Sequence, residues 1–433
     1  MVIRYLLAFL LAFVLIFPAN PQEVKKTGGF ARILGMGNNP YIIDPFFMTV
    51  NPAWGAYYDD FLFGDLGSGA GPADFGPGGT GQFIAANFSL GSNFTLGAFL
   101  TRNDFSAFSI AAMDPLIQVP GANLSVVSRL NGLGNALNAV PLNNNVELFS
   151  TLQMGRMALG LGVAYASTTT EQNAAGTEAQ GGGTQEASAS QIGFNGGILI
   201  NFTNTLRLDA GVSLILPSAT FTPVDGPESS VSETILLINA RLFSKFSSKV
   251  TLVPTFSFIT GSGTQDEGFV VGDSTQSTDL PSVTAFNVGL GINYNVGDFL
   301  LAGGLSLADA SLTNPSSPGV PELSNSFFVF PIWNLGLEWN MIDWFVARLG
   351  YIATTIKQTS ESPAAQTPAT GDVNEFIQTL FAGPNGATVG VGFRLGDFSL
   401  DATVNEGVLR QGLNNIGGGG PTFAYLSVSY ALP

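Results

Sequence analysis

Residues 286–294 read Phe286-Asn287-Val288-Gly289-Leu290-Gly291-Ile292-Asn293-Tyr294. Successive side chains of a strand point to opposite faces. Phe286, Val288, Leu290, Ile292 and Tyr294 therefore share one face, and Asn287, Gly289, Gly291 and Asn293 share the other. The pattern recurs earlier, where Met157, Leu159, Leu161, Val163 and Tyr165 oppose Ala158, Gly160, Gly162, Ala164 and Ala166. A soluble β-sandwich alternates too, but its outward face carries Lys, Glu and Asp. Here the second face is mostly Gly, Ala, Ser and Asn. The pattern fits strands with one face against lipid and the other against a lumen.

Composition points the same way. The chain has 433 residues, 45% hydrophobic and 11% charged, whereas soluble domains carry about 25% charged residues. Beyond the N-terminus no apolar run approaches the roughly 20 residues that a spanning helix needs. A membrane protein without such helices must be a closed barrel, because every backbone N–H and C=O in lipid needs a partner. The expected fold class is therefore an all-β transmembrane antiparallel β-barrel.

Outward from 286–294 the chain repeats one unit: strand, short turn, strand, long polar loop. Short turns are expected near Gly91-Ser92-Asn93, Gly155-Arg156, Thr203-Asn204, Ser247-Ser248, Val296-Gly297, Met341-Ile342 and Gly396-Asp397. Long loops are expected near 66–80, 103–145, 168–187, 217–230, 263–281, 313–324, 359–384 and 411–420. Short turns on one side and long loops on the other mark an outer-membrane barrel. Counting from Tyr58 to Tyr430 gives about 16 strands, with both chain ends on the periplasmic side. The last, Thr422–Leu432, turns Leu426, Val428 and Tyr430 outward.

Two long loops carry helical periodicity. One holds Leu124, Val127, Leu130, Leu133, Leu137 and Val140; the other holds Val373, Phe376, Ile377, Leu380 and Phe381, with Asp372 placed to cap it. Both are expected as short helices at the outer mouth, whose apolar surfaces pack on the rim or capture a hydrophobic ligand. The 168–187 stretch is low-complexity and is expected to be a flexible loop. Loop acids such as Glu171, Glu178, Glu186, Asp266, Glu267 and Asp273 form a solvated surface or bind lipopolysaccharide phosphates through divalent cations.

Residues 1–20 read as a secretory signal, with Arg4 before the apolar run Tyr5–Phe17. An exported chain with strands of this kind is expected in the outer membrane of a Gram-negative bacterium. Residues 21–57 are expected as an N-terminal periplasmic or plug segment, and 58–433 as the barrel.

The plug segment carries Gly35-Met36-Gly37, a lone Asp44 and Asn51-Pro52-Ala53. In these residues the chain resembles the superfamily of the long-chain fatty-acid transporter (FadL-like) barrels, which also holds the barrel of the type IX secretion system. Those proteins open with a glycine-rich GMGG-like element, an acidic stretch and Asn-Pro-Ala before the first strand. Here Asn38 replaces the second glycine, and Tyr41-Ile42-Ile43-Asp44-Pro45 replaces the usual Ala-Asp-Asp segment. The resemblance covers about 30 residues. It implies 14 strands, a plug in the lumen, and either uptake of hydrophobic molecules or binding of secreted protein cargo.

The inward face of the strands carries Arg207, Asp209, Arg241, Glu338, Arg348, Arg394 and Asp401. Buried charges need water or partners, so these either pair wall to wall or hold the plug through Asp44 or Asn51. Arg394 and Asp401 flank one short turn as diagonal neighbours. The chain has no His and no Cys, which removes the commonest general base and all thiol chemistry. No catalytic residues, metal site or cofactor are expected. A net charge of −16 argues against nucleic acid as a partner. The leading expectation is passive uptake of hydrophobic or small organic molecules. The alternatives are a barrel that binds exported cargo and a structural outer-membrane protein.

Overall fold

The computed structural model describes residues 24–67, 83–101, 145–173, 183–224, 228–267, 276–316, 322–361, 376–380, 386–404 and 423–433. A short helix α1 (Phe30–Gly35) and two 3₁₀ turns (Pro45–Thr49 and Pro52–Ala56) precede the strands. The first strands are β1 (Phe61–Gly67), β2 (Phe83–Ser89), β3 (Phe94–Thr101), β4 (Asn145–Met154), β5 (Met157–Asn173) and β6 (Thr184–Asn201). Then come β7 (Leu206–Thr222), β8 (Ser229–Lys245), β9 (Val250–Glu267), β10 (Gln276–Asp279), β11 (Ser282–Val296) and β12 (Phe299–Asn314). The last are β13 (Leu323–Ile342), β14 (Phe345–Glu361), β15 (Phe376–Leu380), β16 (Gly386–Leu395), β17 (Phe398–Val404) and β18 (Phe423–Ala431).

These 18 segments fill sixteen positions. β10 and β11 both pair with β9, and β15 and β16 both pair with β14, so each couple is one interrupted strand. β1 closes the ring by pairing with β2 on one side and β18 on the other, all antiparallel. The sixteen strands agree with the count from periodicity and exceed the 14 implied by the resemblance. Among the described residues no helix is long and apolar enough to cross a membrane; the strands do the crossing.

All seven short turns lie within two residues of their expected places. Gly155, Gly297 and Gly396 each open a two-residue turn at φ 59°, 56° and 63°, the conformation that a type II′ hairpin asks of its first residue.

Some of the stretches expected as long loops are partly strand. The 168–187 stretch is not one loop: β5 continues to Asn173 and β6 starts at Thr184, with Thr170 paired to Ala187. β7 and β8 likewise run into the 217–230 stretch. Strands of 15–20 residues far exceed the roughly 9–11 that a bilayer takes. Polar residues there mark where the wall leaves the lipid, not where the strand stops.

Phe376, Ile377 and Leu380 do not lie on a helix. They form β15, which adds five residues to the ladder on β14. Residues with strong β-propensity beside an open edge take the sheet partner, which overrides a helical spacing. Leu130, Leu133 and Leu137 lie outside the described residues.

The outer face has two sections. On β5, Leu159, Leu161, Val163 and Tyr165 are exposed at 37–69%; beyond them the outward positions are Ser167, Thr169 and Glu171. β7 turns from Leu208, Val212, Leu214 and Leu216 to Ser218, Thr220 and Thr222, and β11 from Leu290 and Phe286 to Thr284 and Ser282. About nine residues of apolar outer face per strand match one membrane crossing. Exposed Trp339, Trp344, Phe202 and Phe246 ring the short-turn edge, where amphipathic aromatics favour the lipid–water boundary.

The inner face changes at the same level and in the opposite sense. On β7 it runs Arg207, Asp209, Gly211, Ser213 and then Ile215 and Ala219. On β8 it runs Arg241, Asn239 and then Leu237 and Ile235. Ala164, Ala189, Ile259, Ala285, Ala308, Val329 and Ile356 continue this buried apolar section around β5 to β14.

Candidate functional site

The polar section of the inner wall meets the segment that precedes β1. Every residue from Gly28 to Gly55 except Leu34 is buried. The segment touches the wall from β1 to β18 through three kinds of contact.

The first is asparagine. Inward Asn side chains donate to backbone carbonyls of the segment: Asn334 to Gly37 and Asn38 (2.9 and 3.0 Å), and Asn293 to Tyr41 (2.7 Å). Asn195 donates to Thr49 (3.0 Å), and Asn87 to Gly55 and Tyr58 (2.9 and 2.7 Å). A segment with little regular structure has many unpaired carbonyls, and burial obliges each to find a donor.

The second is glycine. A Cβ on Gly160 would fall on the backbone of Ala53, on Gly291 on the Tyr41 ring, on Gly197 on Asn51, and on Gly350 on Gly37. The wall is cut away where the segment lies against it.

The third is charge, in two clusters. In the first, Arg32 of α1 donates through Nε to Glu338 Oε2 (2.7 Å) and through Nη1 to Asp44 Oδ2 (3.2 Å). Arg348 Nε also donates to Glu338 Oε2 (2.7 Å), and its Nη1 lies 2.6 Å from Asp401 Oδ1. Arg394 Nη2 donates to the same Asp401 oxygen (2.9 Å). Three arginines thus face three carboxylates, which satisfies the rule that buried charges be paired. In the second cluster, Arg241 donates to Asp209 Oδ2 (2.9 and 2.6 Å) and to the carbonyls of Pro40 and Ile42 (3.0 and 2.9 Å). Its guanidinium lies 3.5 Å from the centre of the Phe47 ring. Asp209 also accepts from Asn51 Nδ2 (2.6 Å) and Trp54 Nε1 (3.0 Å). Arg207 donates to Asn201 (2.8 Å) and lies 4.6 Å from the Tyr57 ring centre.

Motif residues take particular positions. Asp44 and Asn51 cap the two 3₁₀ turns through Phe46 N–H and Ala53 N–H, both at 2.9 Å. Met36 is fully buried over Gly336, and Gly37, at φ 74°, lies against the Leu335 and Tyr351 backbones. Asn38 takes φ 50°, a left-handed conformation that Asn tolerates better than most residues. That explains how Asn can stand where relatives of the resembled family have glycine. The Pro52 carbonyl accepts from Thr151 (2.7 Å).

Burial opposes the Arg32 charge, but Glu338 and Asp44 outweigh it and hold its proton more tightly than water does. Burial pushes the Asp44 carboxyl up to about 6, against the opposing pull of Arg32. The bidentate partner of Arg32 is Glu338, so Asp44 receives only part of its charge.

Sequence reading missed Arg32 and the asparagine clamps. Arg32 was visible as a single base inside a buried apolar stretch. The asparagines were visible as strand-averse residues at inward positions of clean strands.

No family model and no curated protein sequence matches the chain. Solved structures similar to it include the Ralstonia pickettii toluene transporter TbuX, at 12% identity and a TM-score of 0.39, covering 95% of this chain and 100% of that one. The P. putida toluene transporter TodX is similar at 10% identity and a TM-score of 0.35, covering 95% and 99%. The FrpB iron transporter from Neisseria meningitidis is similar at 11% identity and a TM-score of 0.36, covering 79% of this chain. The chain spans 61% of the length of FrpB. The strand pairing and the outer band define this molecule as a membrane-spanning, sixteen-stranded closed β-barrel.

Proposed function

We propose that this is an outer-membrane barrel for passive uptake of hydrophobic or small organic molecules, plugged by residues 28–58. The observation that carries the reading is the apolar inner section on β5 to β14, directly above the segment. A pore for hydrophilic solutes would be lined with polar groups there. These side chains are buried, so in this reading a greasy solute parts the apolar section, then crosses the membrane level once the plug shifts. The hold on the plug lies at Arg32–Glu338, which joins segment to wall. Arg394 is one step removed, since its contacts are Asp401 and the Phe393 carbonyl.

Proteoliposome uptake of a radiolabelled fatty acid tests this. Uptake should depend on the protein and rise when Glu338→Ala weakens the hold. Uptake equal to that of protein-free vesicles would overturn the reading. Co-purification of a secreted protein domain without solute uptake would favour cargo binding instead.

A further inference from the structure

Glu147 lies on the inner face of β4, paired across the ladder with Phe99 on β3 and Ala164 on β5. It is 7% exposed, and its Oε1 has no hydrogen-bond partner. It forms no ion pair among the described residues. Of the other buried acids on the inner wall and segment, Asp44, Asp209, Glu338 and Asp401 each meet an arginine, Asp65 accepts from Phe30 N–H and Ser427 Oγ–H, and Glu233 on β8 has interactions of its own. A buried carboxylate without a partner is strongly unfavourable. Among the described residues nothing supplies the compensating charge.

We propose that Glu147 is the head-group site for a cationic amphiphile, an alkylammonium whose tail lies along the apolar inner wall. Three features select that chemistry. The Glu147 carboxylate lies against Gly162 on β5, and the neighbouring inward positions on β3 and β4 carry the Phe99 and Phe149 rings, 1% exposed and 4.8 Å apart; ring faces attract ammonium groups. Ala164, facing Glu147, begins the apolar section that continues through Ala166 and Ala189. A hard divalent cation would need about six oxygens, and no metal-holding group of acids occurs among the described residues. An ammonium needs only the carboxylate and the rings. Phe149 also packs against Gly55 of the plug, which places the head group directly above the segment. This inference deepens the uptake reading and rests on it for the route by which the ligand arrives.

The test is calorimetric binding of hexylammonium, hexanol and hexanoate to the detergent-solubilised full chain and to Glu147→Gln. Hexylammonium should bind the unaltered chain at least about tenfold more tightly than hexanol, with hexanoate weakest. Glu147→Gln should bring hexylammonium down to the level of hexanol. Equal binding of hexylammonium and hexanol by the unaltered chain would overturn the proposal without any variant. So would a hexylammonium preference that survives Glu147→Gln. Failure of uptake alone is separable, because these affinities are read without transport.

Discussion

The inner wall has two sections built from the same strands. Near the short turns its side chains are Arg, Asp, Glu, Asn and Gly, and they grip the N-terminal segment. Toward the long loops the same inward positions carry mainly Ala, Ile, Val and Phe, with Gln191 and Glu233 among them. The outer face reverses in step, from apolar to Ser and Thr. In lipid a strand must be greasy outside, so the lumen takes the polar groups. Above the lipid it must be wettable outside, so the apolar groups move inward. The lower section is specific and charged, whereas the upper one is unspecific and apolar.

The largest break in this contrast should come from Arg32→Ala, which leaves Glu338 short of one counter-charge in a buried cluster. A loss of about 3–5 kcal/mol is expected in the docking of the segment, read as faster chymotrypsin cleavage between Phe46 and Tyr58. Next comes pH. Asp44 titrates near 3.8 ordinarily and near 6 when folded. Between those values the folded chain holds a proton that the unfolded chain does not. Its stabilising contribution is full below about pH 3.8 and is lost as pH rises through about 6. From pH 4 to 7 the unaltered chain should lose up to about 3 kcal/mol relative to Asp44→Asn. The denaturant midpoints of both chains across that range would show it; parallel curves would contradict it.

Gly291→Val should cost about 1–3 kcal/mol, because the Tyr41 ring occupies the space the side chain needs. Thermal unfolding of the segment, followed by protease protection, would measure it. The smallest effect on the segment is expected in the other section. Ile259→Ser should change segment protection by less than about 0.5 kcal/mol while lowering protein-dependent uptake of a fatty acid. A change in protection as large as that of Gly291→Val would erase the distinction between the sections.

Much of this was legible in advance. Period-two alternation at 157–166 and 286–294 marks the strands, because lipid outside and lumen inside impose opposite chemistry on neighbouring residues. The inward charges were legible for the same reason. The polar ends of β5, β7 and β8 misled, since Thr- and Ser-rich sequence suits both a loop and a strand standing in water. Phe376, Ile377 and Leu380 misled because a helical spacing over a few residues says nothing about a vacant sheet edge. The pairing of Arg32 with Glu338 was not legible, because 306 residues separate them and only closure of the ring brings them together.

Single-channel recording of the intact chain in planar bilayers tests the central claim most directly. A sixteen-stranded barrel with a clear lumen carries an aqueous channel. The account predicts that the intact chain shows no steady conductance, and that Arg32→Ala opens intermittent large steps. A large, steady conductance from the intact chain would contradict it.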